Sequence, residues 1–172
     1  TANATDALNK ALLGLLAPGD HVVSTRLEHN SVLRPLFLLR EKMGITFDLA
    51  PFDGCGLVGP AAIVKLLRPE TKLVILNHAS NVLGSVQPVD AIGRVCRERD
   101  IVLLVDTAQS AGHIPVDMEK LNLQAVAFTG HKGLMGPAGI GGLVLAPGLE
   151  VRPTFSGGTG MESLSLQQPS AY

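Results

Sequence analysis

The sequence lacks the charge pattern and the long apolar runs of a nucleic-acid-binding or membrane protein. Its 14 Lys and Arg residues are balanced by 15 Asp and Glu residues, for a formal net charge of −1. Such a balance gives no electrostatic attraction for nucleic acid or for an anionic membrane. No apolar run approaches the length that spans a bilayer, so we expect no transmembrane helix.

Cysteine is also scarce. Cys55 and Cys96 lie far apart in the chain and match no metal-binding spacing. Two such cysteines favour a reducing, cytoplasmic setting over a disulfide framework.

The first residues carry no charged leader before their apolar part, which is not the pattern of a signal peptide. The chain begins inside a motif and ends in a polar stretch, so we expect it to be part of a longer protein.

The remaining composition is that of one folded domain. With 172 residues, 46% of them hydrophobic, the chain can bury a sizeable core. Helical and strand-like patterns alternate, with no internal repeat or interdomain linker. We predict helices at 5–16, 30–43, 60–68 and 89–98, the first capped by Thr5 and the second interrupted near Pro35. We predict strands at 21–25, 45–52, 72–80, 101–106, 125–130 and 141–147. Continuous apolar strands between helices predict an α/β fold, with a mostly parallel central sheet covered on both faces.

Polar or ionisable residues follow almost every predicted strand. They are His29 and the stretches 77–81, 106–109 and 129–132. Ligands of parallel sheets bind beyond the carboxyl ends of the strands. The sequence therefore predicts a binding site at this edge of the sheet.

Lys132 lies in a glycine-rich loop, GHKGLMGPAGIGG (130–142). Its amine could form a Schiff base with a carbonyl, and burial would lower its pKa towards the reactive neutral form. The glycines would let the backbone approach a cofactor closely. The alternative is a solvated loop lysine, which is the usual position for this residue type.

The other strand-end residues each have a functional and a structural interpretation. Asp106 could keep a pyridinium nitrogen protonated, or could cap a helix. Gln109 could donate to a phenolate oxygen, or lie on a helix surface. Thr5 opens a helix whose free N–H groups suit a phosphate, and Thr129 could add a hydroxyl, although either could be only a cap. His29 could stack on an aromatic ligand, or be a satisfied core or surface histidine.

Together these groups match the requirements of pyridoxal phosphate. Each structural interpretation is acceptable for one residue alone. Unrelated structural roles are a much less probable explanation for all four groups together at successive strand ends: a lysine, a carboxylate, a phosphate-binding helix end and a flat ring. The chain also resembles the cysteine desulfurase and selenocysteine lyase branch of the class V aminotransferases, which are fold-type I pyridoxal phosphate enzymes. The matching stretches are NATDALN (3–9), LEHNSVLRP (27–35), LNHASNVLGSVQPV (76–89), VDTAQSAGHIPVD (105–117) and FTGHKGLMGPAGIGGL (128–143), in the family's order.

The resemblance implies a role for each matching position around the cofactor. Lys132 matches the lysine that forms the Schiff base. Thr129 and His131 match the residues that reach the cofactor phosphate. Asp106 matches the partner of the pyridine nitrogen, and Gln109 the residue that bonds the ring oxygen.

Further matches concern the substrate and the partner subunit. His29 matches the ring that stacks on the cofactor and takes part in proton transfer. Ala4 and Thr5 match the phosphate-binding pair, although many relatives have two threonines there. Asn81 matches the asparagine near the substrate carboxylate and the ring oxygen. Residues 157–159 (Gly157, Gly158 and Thr159) resemble a segment that reaches the partner subunit's phosphate.

The resemblance implies the large domain of a homodimeric enzyme that removes sulfur or selenium from cysteine or selenocysteine and leaves alanine, with a sulfur-acceptor protein as partner. The family's sulfur-accepting cysteine and substrate-binding arginine come from a later region, and nothing here matches them. We interpret Cys55 and Cys96 as structural. Two alternatives stay open: another class V reaction, such as transamination or epimerisation, or an inert cofactor-binding fragment.

Overall fold

A computed structural model describes residues 1–158 of the chain. The elements are α1 Ala4–Leu15, β1 His21–Thr25, α2 Asn30–Met43, β2 Thr46–Ala50, α3 Pro60–Val64, β3 Thr71–Asn77, α4 Val89–Arg97, β4 Val102–Asp106, β5 Ala125–Thr129 and β6 Gly141–Leu145. No helix among these residues is long and apolar enough to cross a membrane.

The strands form one six-stranded sheet in the order β2-β1-β3-β4-β5-β6. Neighbouring strands from β2 to β5 run parallel, and β6 pairs antiparallel with β5. The predicted mostly parallel sheet is confirmed. The long apolar runs in the strands have a physical reason. Parallel strands are covered on both faces, so the residues along each strand are apolar on both sides and do not alternate between apolar and polar.

Two hydrophobic cores cover the two faces of the sheet. On one face, Leu8 and Leu12 of α1 belong to a cluster with Val22 and Ile75. On the other face, Ile92 of α4 belongs to a second cluster that contains strand residues such as Val74 and Leu76. Successive strand residues thus enter opposite cores, as the period of two requires. The predicted three-layer α/β/α arrangement follows from this packing.

Three predicted helix features are wrong in detail. Thr5 is not the cap of α1, because the Oδ1 of Asn3 accepts the backbone N–H of Asp6 at 2.9 Å. The helix α2 is not interrupted at Pro35, which is buried and lies within its residues 30–43. The predicted 60–68 helix ends at Val64, since Leu66 N–H bonds the carbonyl of Ile63 at 2.9 Å, a tighter three-residue spacing.

A glycine in α4 allows the helix to lie directly on the segment that leads into β5. A Cβ at Gly93 would overlap the carbonyl oxygen of Leu121 and lie 3.2 Å from the Cβ of Asn122. This close approach keeps α4 against the sheet, next to the strands that carry the candidate site.

We predict that Gly93→Ala lowers the free energy of unfolding by about 1–3 kcal/mol, which is typical of overpacking. In an exposed helix the same change would raise stability by up to about 1 kcal/mol. The sign of the change in the free energy of unfolding therefore shows whether Gly93 is tightly packed. Urea unfolding monitored by circular dichroism measures the change. Gly54→Ala is the matched control, because nothing lies within 4 Å of a Cβ at Gly54. A stabilised Gly93→Ala variant would contradict this packing.

Candidate active site

A cavity of about 240 Å³ opens at the carboxyl ends of β1, β3, β4 and β5. Nine predicted site residues line it: Ala4, Thr5, His29, Asn81, Asp106, Gln109, Thr129, His131 and Lys132. Five residues without a predicted role also line it: Asn3, Ser31, Asn77, Ala79 and Ala108. Asn3 and Ser31 could have been predicted as lining residues, because both lie at the starts of helices that begin at the predicted site.

The parallel register brings these groups together. Asn77, the last residue of β3, lies beside Asp106, the last residue of β4. Asp106 is in turn the partner of Ala127 in β5, two residues before Thr129. The ends of three strands therefore meet at one level, and Asp106 is in the middle of them.

Asp106 is a buried carboxylate, with 5% of its surface exposed. Its Oδ1 accepts the backbone N–H of Ala108 at 2.8 Å, so it also stabilises the turn after β4. Burial raises the pKa of Asp106, while the Ala108 N–H and the electrostatic influence of Lys132 and His29 oppose that rise. A cation placed in the cavity would therefore favour the ionised form of this carboxyl.

His29 is the N-cap of α2. Its Nδ1 accepts the backbone N–H of Ser31 at 3.1 Å and lies 2.8 Å from the Ser31 hydroxyl oxygen. Because Nδ1 accepts a hydrogen bond, the proton of the neutral ring lies on Nε2. The ring is exposed at the cavity, so the helix cap holds a flat aromatic surface in a defined position.

The start of α1 forms another wall of the cavity. Asn3 caps the helix, and the N–H of Gly141 donates to the carbonyl of Thr1 at 2.8 Å. A Cβ at Gly141 would lie only 2.6 Å from the Cα of Asn3, so glycine is required for this contact. Packing against β6 thus positions the free N–H groups and the positive dipole end of α1 at the cavity, where Ala4 and Thr5 lie.

Lys132 is exposed, which is the position that the solvated-loop alternative gives it. The physical reason is its place in a loop that leaves the sheet edge and borders an open cavity. Its neighbour Gly133 is tightly packed, since a Cβ there would overlap the carbonyl of Ala111 and lie 2.6 Å from the His113 ring. The loop is therefore fixed against the turn after β4, while the lysine side chain is accessible.

Two side chains beside Lys132 are linked to each other. The hydroxyl of the buried Thr129 lies 3.0 Å from Nδ1 of the exposed His131. Gln109 is half-buried in the turn after β4, not on a helix surface, and Asn81 is exposed at the cavity rim. The cavity thus offers several polar groups around one open centre.

The remaining predicted positions lie away from this cavity. Gly157 and Gly158 are exposed and do not line it, and Thr159 lies outside the described residues. Cys55 is exposed in a turn, and Cys96 is buried in α4, where burial raises the pKa of its thiol to about 12. Neither cysteine lines the cavity. Within residues 1–158 there is no group of three or more His, Cys, Asp or Glu residues that could hold a metal ion.

Comparison with known proteins identifies the family. The sequence profile described as Aminotransferase class-V matches residues 1–172. The chain belongs to the class-V aminotransferase family. Cysteine desulfurase IscS of Dictyoglomus turgidum is 33% identical over 163 residues, which cover 92% of this chain and 41% of that protein. The chain therefore spans about two fifths of the length of this curated relative.

Solved structures agree with the family assignment. The apo cysteine desulfurase of Thermococcus onnurineus NA1 has a TM-score of 0.80 and 37% identity, and the match covers 86% of this chain and 37% of that one. The cystine C–S lyase C-DES, solved with its product cysteine persulfide, has a TM-score of 0.84 and 36% identity, with coverage of 90% and 43%. A C-DES variant was solved with glycine covalently linked to its PLP cofactor.

We predict that Asn3→Ala lowers the free energy of unfolding by about 1 kcal/mol, the usual cost of losing an N-cap. Asn9→Ala, in the same helix, is the matched control and should leave stability unchanged or slightly higher, since alanine is the better helix former. Thermal unfolding of both variants measures the difference. Equal effects of the two substitutions would contradict the assignment of Asn3 as the cap.

Proposed function

We propose that this chain binds pyridoxal 5'-phosphate and carries the cofactor site of a cysteine desulfurase-like enzyme. The observation that supports this most directly is the cavity at the strand ends, where an accessible lysine, a buried carboxylate and an exposed imidazole ring lie together. One relative is a cysteine desulfurase, and a C-DES variant carries pyridoxal phosphate with glycine linked to it. The proposed substrate is a small amino acid that carries sulfur or selenium.

The groups of the cavity fit this cofactor chemically. The Lys132 amine suits the aldehyde, and the start of α1 suits the phosphate. Thr129 and His131 add a hydroxyl and an imidazole near that phosphate. Asp106 offers a buried negative charge for the ring nitrogen, and Gln109 a donor for the ring oxygen. When bound, pyridoxal phosphate serves as an electron sink for the bonds broken at the substrate Cα.

Each of these residues then has a task that its environment supports. Lys132 accepts and returns the proton at the substrate Cα, which requires an accessible amine such as the exposed one seen here. Asp106 holds a proton on the aromatic nitrogen, and its buried position strengthens that charge pairing. His29 stacks on the ring and moves a proton through Nε2, because its Nδ1 is occupied by Ser31. Asn81 at the rim contacts the substrate carboxylate.

The reaction that we propose for the whole protein is removal of sulfur or selenium from cysteine or selenocysteine, with alanine as the second product. The described residues contain no candidate for the family's sulfur-accepting cysteine at the cavity, since Cys55 and Cys96 both lie elsewhere. Transfer of the sulfur would therefore need groups beyond this site, and a sulfur-acceptor protein is the proposed partner. The cystine C–S lyase activity named for C-DES makes C–S cleavage without transfer the second candidate.

We also propose that the 172 residues act as a single large cofactor domain within a cytoplasmic homodimer. One continuous six-stranded sheet supports the single domain. Exposed apolar side chains beside the cavity support a subunit interface: Val82 is 80% exposed, Leu83 50% and Phe52 43%. They border a groove that also contains His29 and Asn81. The two cysteines are free, which suits a reducing compartment.

We predict that Lys132→Ala abolishes alanine formation from cysteine in the whole protein, because no other described lysine lines the cavity. Lys120→Ala is the matched control, since the Lys120 side chain is 84% exposed in a turn away from the site. Amino-acid analysis of the products measures the rate. Alanine release by Lys132→Ala at the rate of the control would refute the role, and pyruvate in place of alanine would favour C–S lyase chemistry.

We predict that Asp106→Asn keeps the cofactor attached to Lys132 but slows product formation by about tenfold to a thousandfold. A carboxylate beside a cation changes a pKa by about 1–3 units, and each unit corresponds to a tenfold change. Comparing the bound-cofactor absorbance with the rate separates binding from catalysis. An unchanged rate with a full complement of cofactor would remove Asp106 from the mechanism.

A further inference from the structure

Glu28 is a buried acid beneath the cavity to which the proposed mechanism gives no task. It follows β1 and immediately precedes His29, and only 8% of its surface is exposed. The ion pairs found within residues 1–158 do not include it. An ionised carboxylate in such a place lacks the compensating charge that burial usually requires.

The contacts of Glu28 are also uneven. Its Oε1 accepts two hydrogen bonds, from the Thr25 hydroxyl at 2.5 Å and from the backbone N–H of Asn77 at 3.1 Å. Its Oε2 is buried with no hydrogen-bond partner, as is the Oδ1 of Asn77. A carboxylate and an amide oxygen can only accept, so this cluster has an excess of acceptors. One additional proton would reduce that excess.

The cluster is connected to the cavity on two sides. Asn77 lines the cavity, donates from its Nδ2 to the carbonyl of Leu27 at 2.6 Å, and lies beside Asp106 in the sheet. His29 is the next residue after Glu28 and also lines the cavity. Glu28 therefore joins the ends of β1 and β3 through Thr25 and Asn77, and Asn77 pairs with Asp106.

We propose that Glu28 is a positioning residue that stays protonated, so that Asp106 alone carries the negative charge beneath the cavity. Burial raises the pKa of Glu28 to about 8, and the nearby charge of Asp106 contributes to the rise. An ionised Glu28 would be a like charge that favours protonation of Asp106. The neutral acid removes this competition and still holds Thr25 and Asn77 by hydrogen bonds. This inference extends the proposed role of Asp106, but its test needs no cofactor.

The test is infrared spectroscopy of the cofactor-free chain across a pH series. A protonated carboxylic acid has a C=O stretch well separated from the carboxylate bands. We expect this band at pH 6, its disappearance as the pH rises through about 8, and its absence in Glu28→Gln. In Asp106→Asn the band should persist and titrate at lower pH, because the like charge is gone. Absence of the band from the wild type at pH 6 would overturn the proposal.

Stability gives an independent readout. The pKa of Glu28 is raised from an ordinary value of 4.5 to about 8, so the folded chain holds a proton that the unfolded chain releases between these values. The contribution of Glu28 to stability should therefore fall as the pH rises from about 5 to about 8. His21 and His78, whose pKa values are lowered by burial, contribute in the opposite sense in wild type and in Glu28→Gln alike, so the difference between the two isolates Glu28. Glu28→Gln, which mimics the neutral acid, should lose this fall and remain as stable as wild type at pH 6, unlike Glu28→Ala. An unchanged slope in Glu28→Gln would contradict the proposal, as would a midpoint unaffected by Asp106→Asn.

Discussion

The parallel register of β3, β4 and β5 determines where the groups of the candidate site lie. Because Asn77 pairs with Asp106 and Asp106 with Ala127, the polar residues after these strands meet at one edge of the sheet. The two hydrophobic cores hold that register, since a slip by one residue would turn each strand's apolar set to the wrong face. The site thus depends on the packing of residues that never touch a ligand.

Close backbone contacts then align the loops around that edge. The start of α1 rests on β6 through Gly141, and the loop of Lys132 rests on the turn after β4 through Gly133. The close backbone contacts at these positions leave no room for a Cβ, which explains why the loop around Lys132 is rich in glycine. The Lys132 amine has to bind a cofactor and still exchange protons, and an accessible side chain on a rigid loop suits both tasks. The neutral acid proposed at Glu28 would complete this arrangement from below.

Much of the fold could be predicted from the sequence because its signals are local and strong. The long apolar runs of β3 and β4 allow little besides buried parallel strands, and the polar residues after them indicated the cavity. Whether Lys132 is buried or exposed could not be predicted, because its exposure depends on how neighbouring loops pack. The cap at Asn3 was missed because Thr5 is also a capping residue type; the extended backbone of Asn3 and its hydrogen bond from the Asp6 N–H identify the cap. Glu28 gave no signal, since its burial results from contacts with Asn77 on a distant strand.

The central claim is that Lys132 carries pyridoxal phosphate in this cavity. The most direct test is an absorption spectrum of the purified chain with added cofactor, before and after borohydride reduction, followed by peptide mass mapping. We expect a visible band that reduction removes, with the cofactor mass fixed on Lys132. Cofactor mass on another lysine, or a chain that stays colourless with excess cofactor, would contradict it.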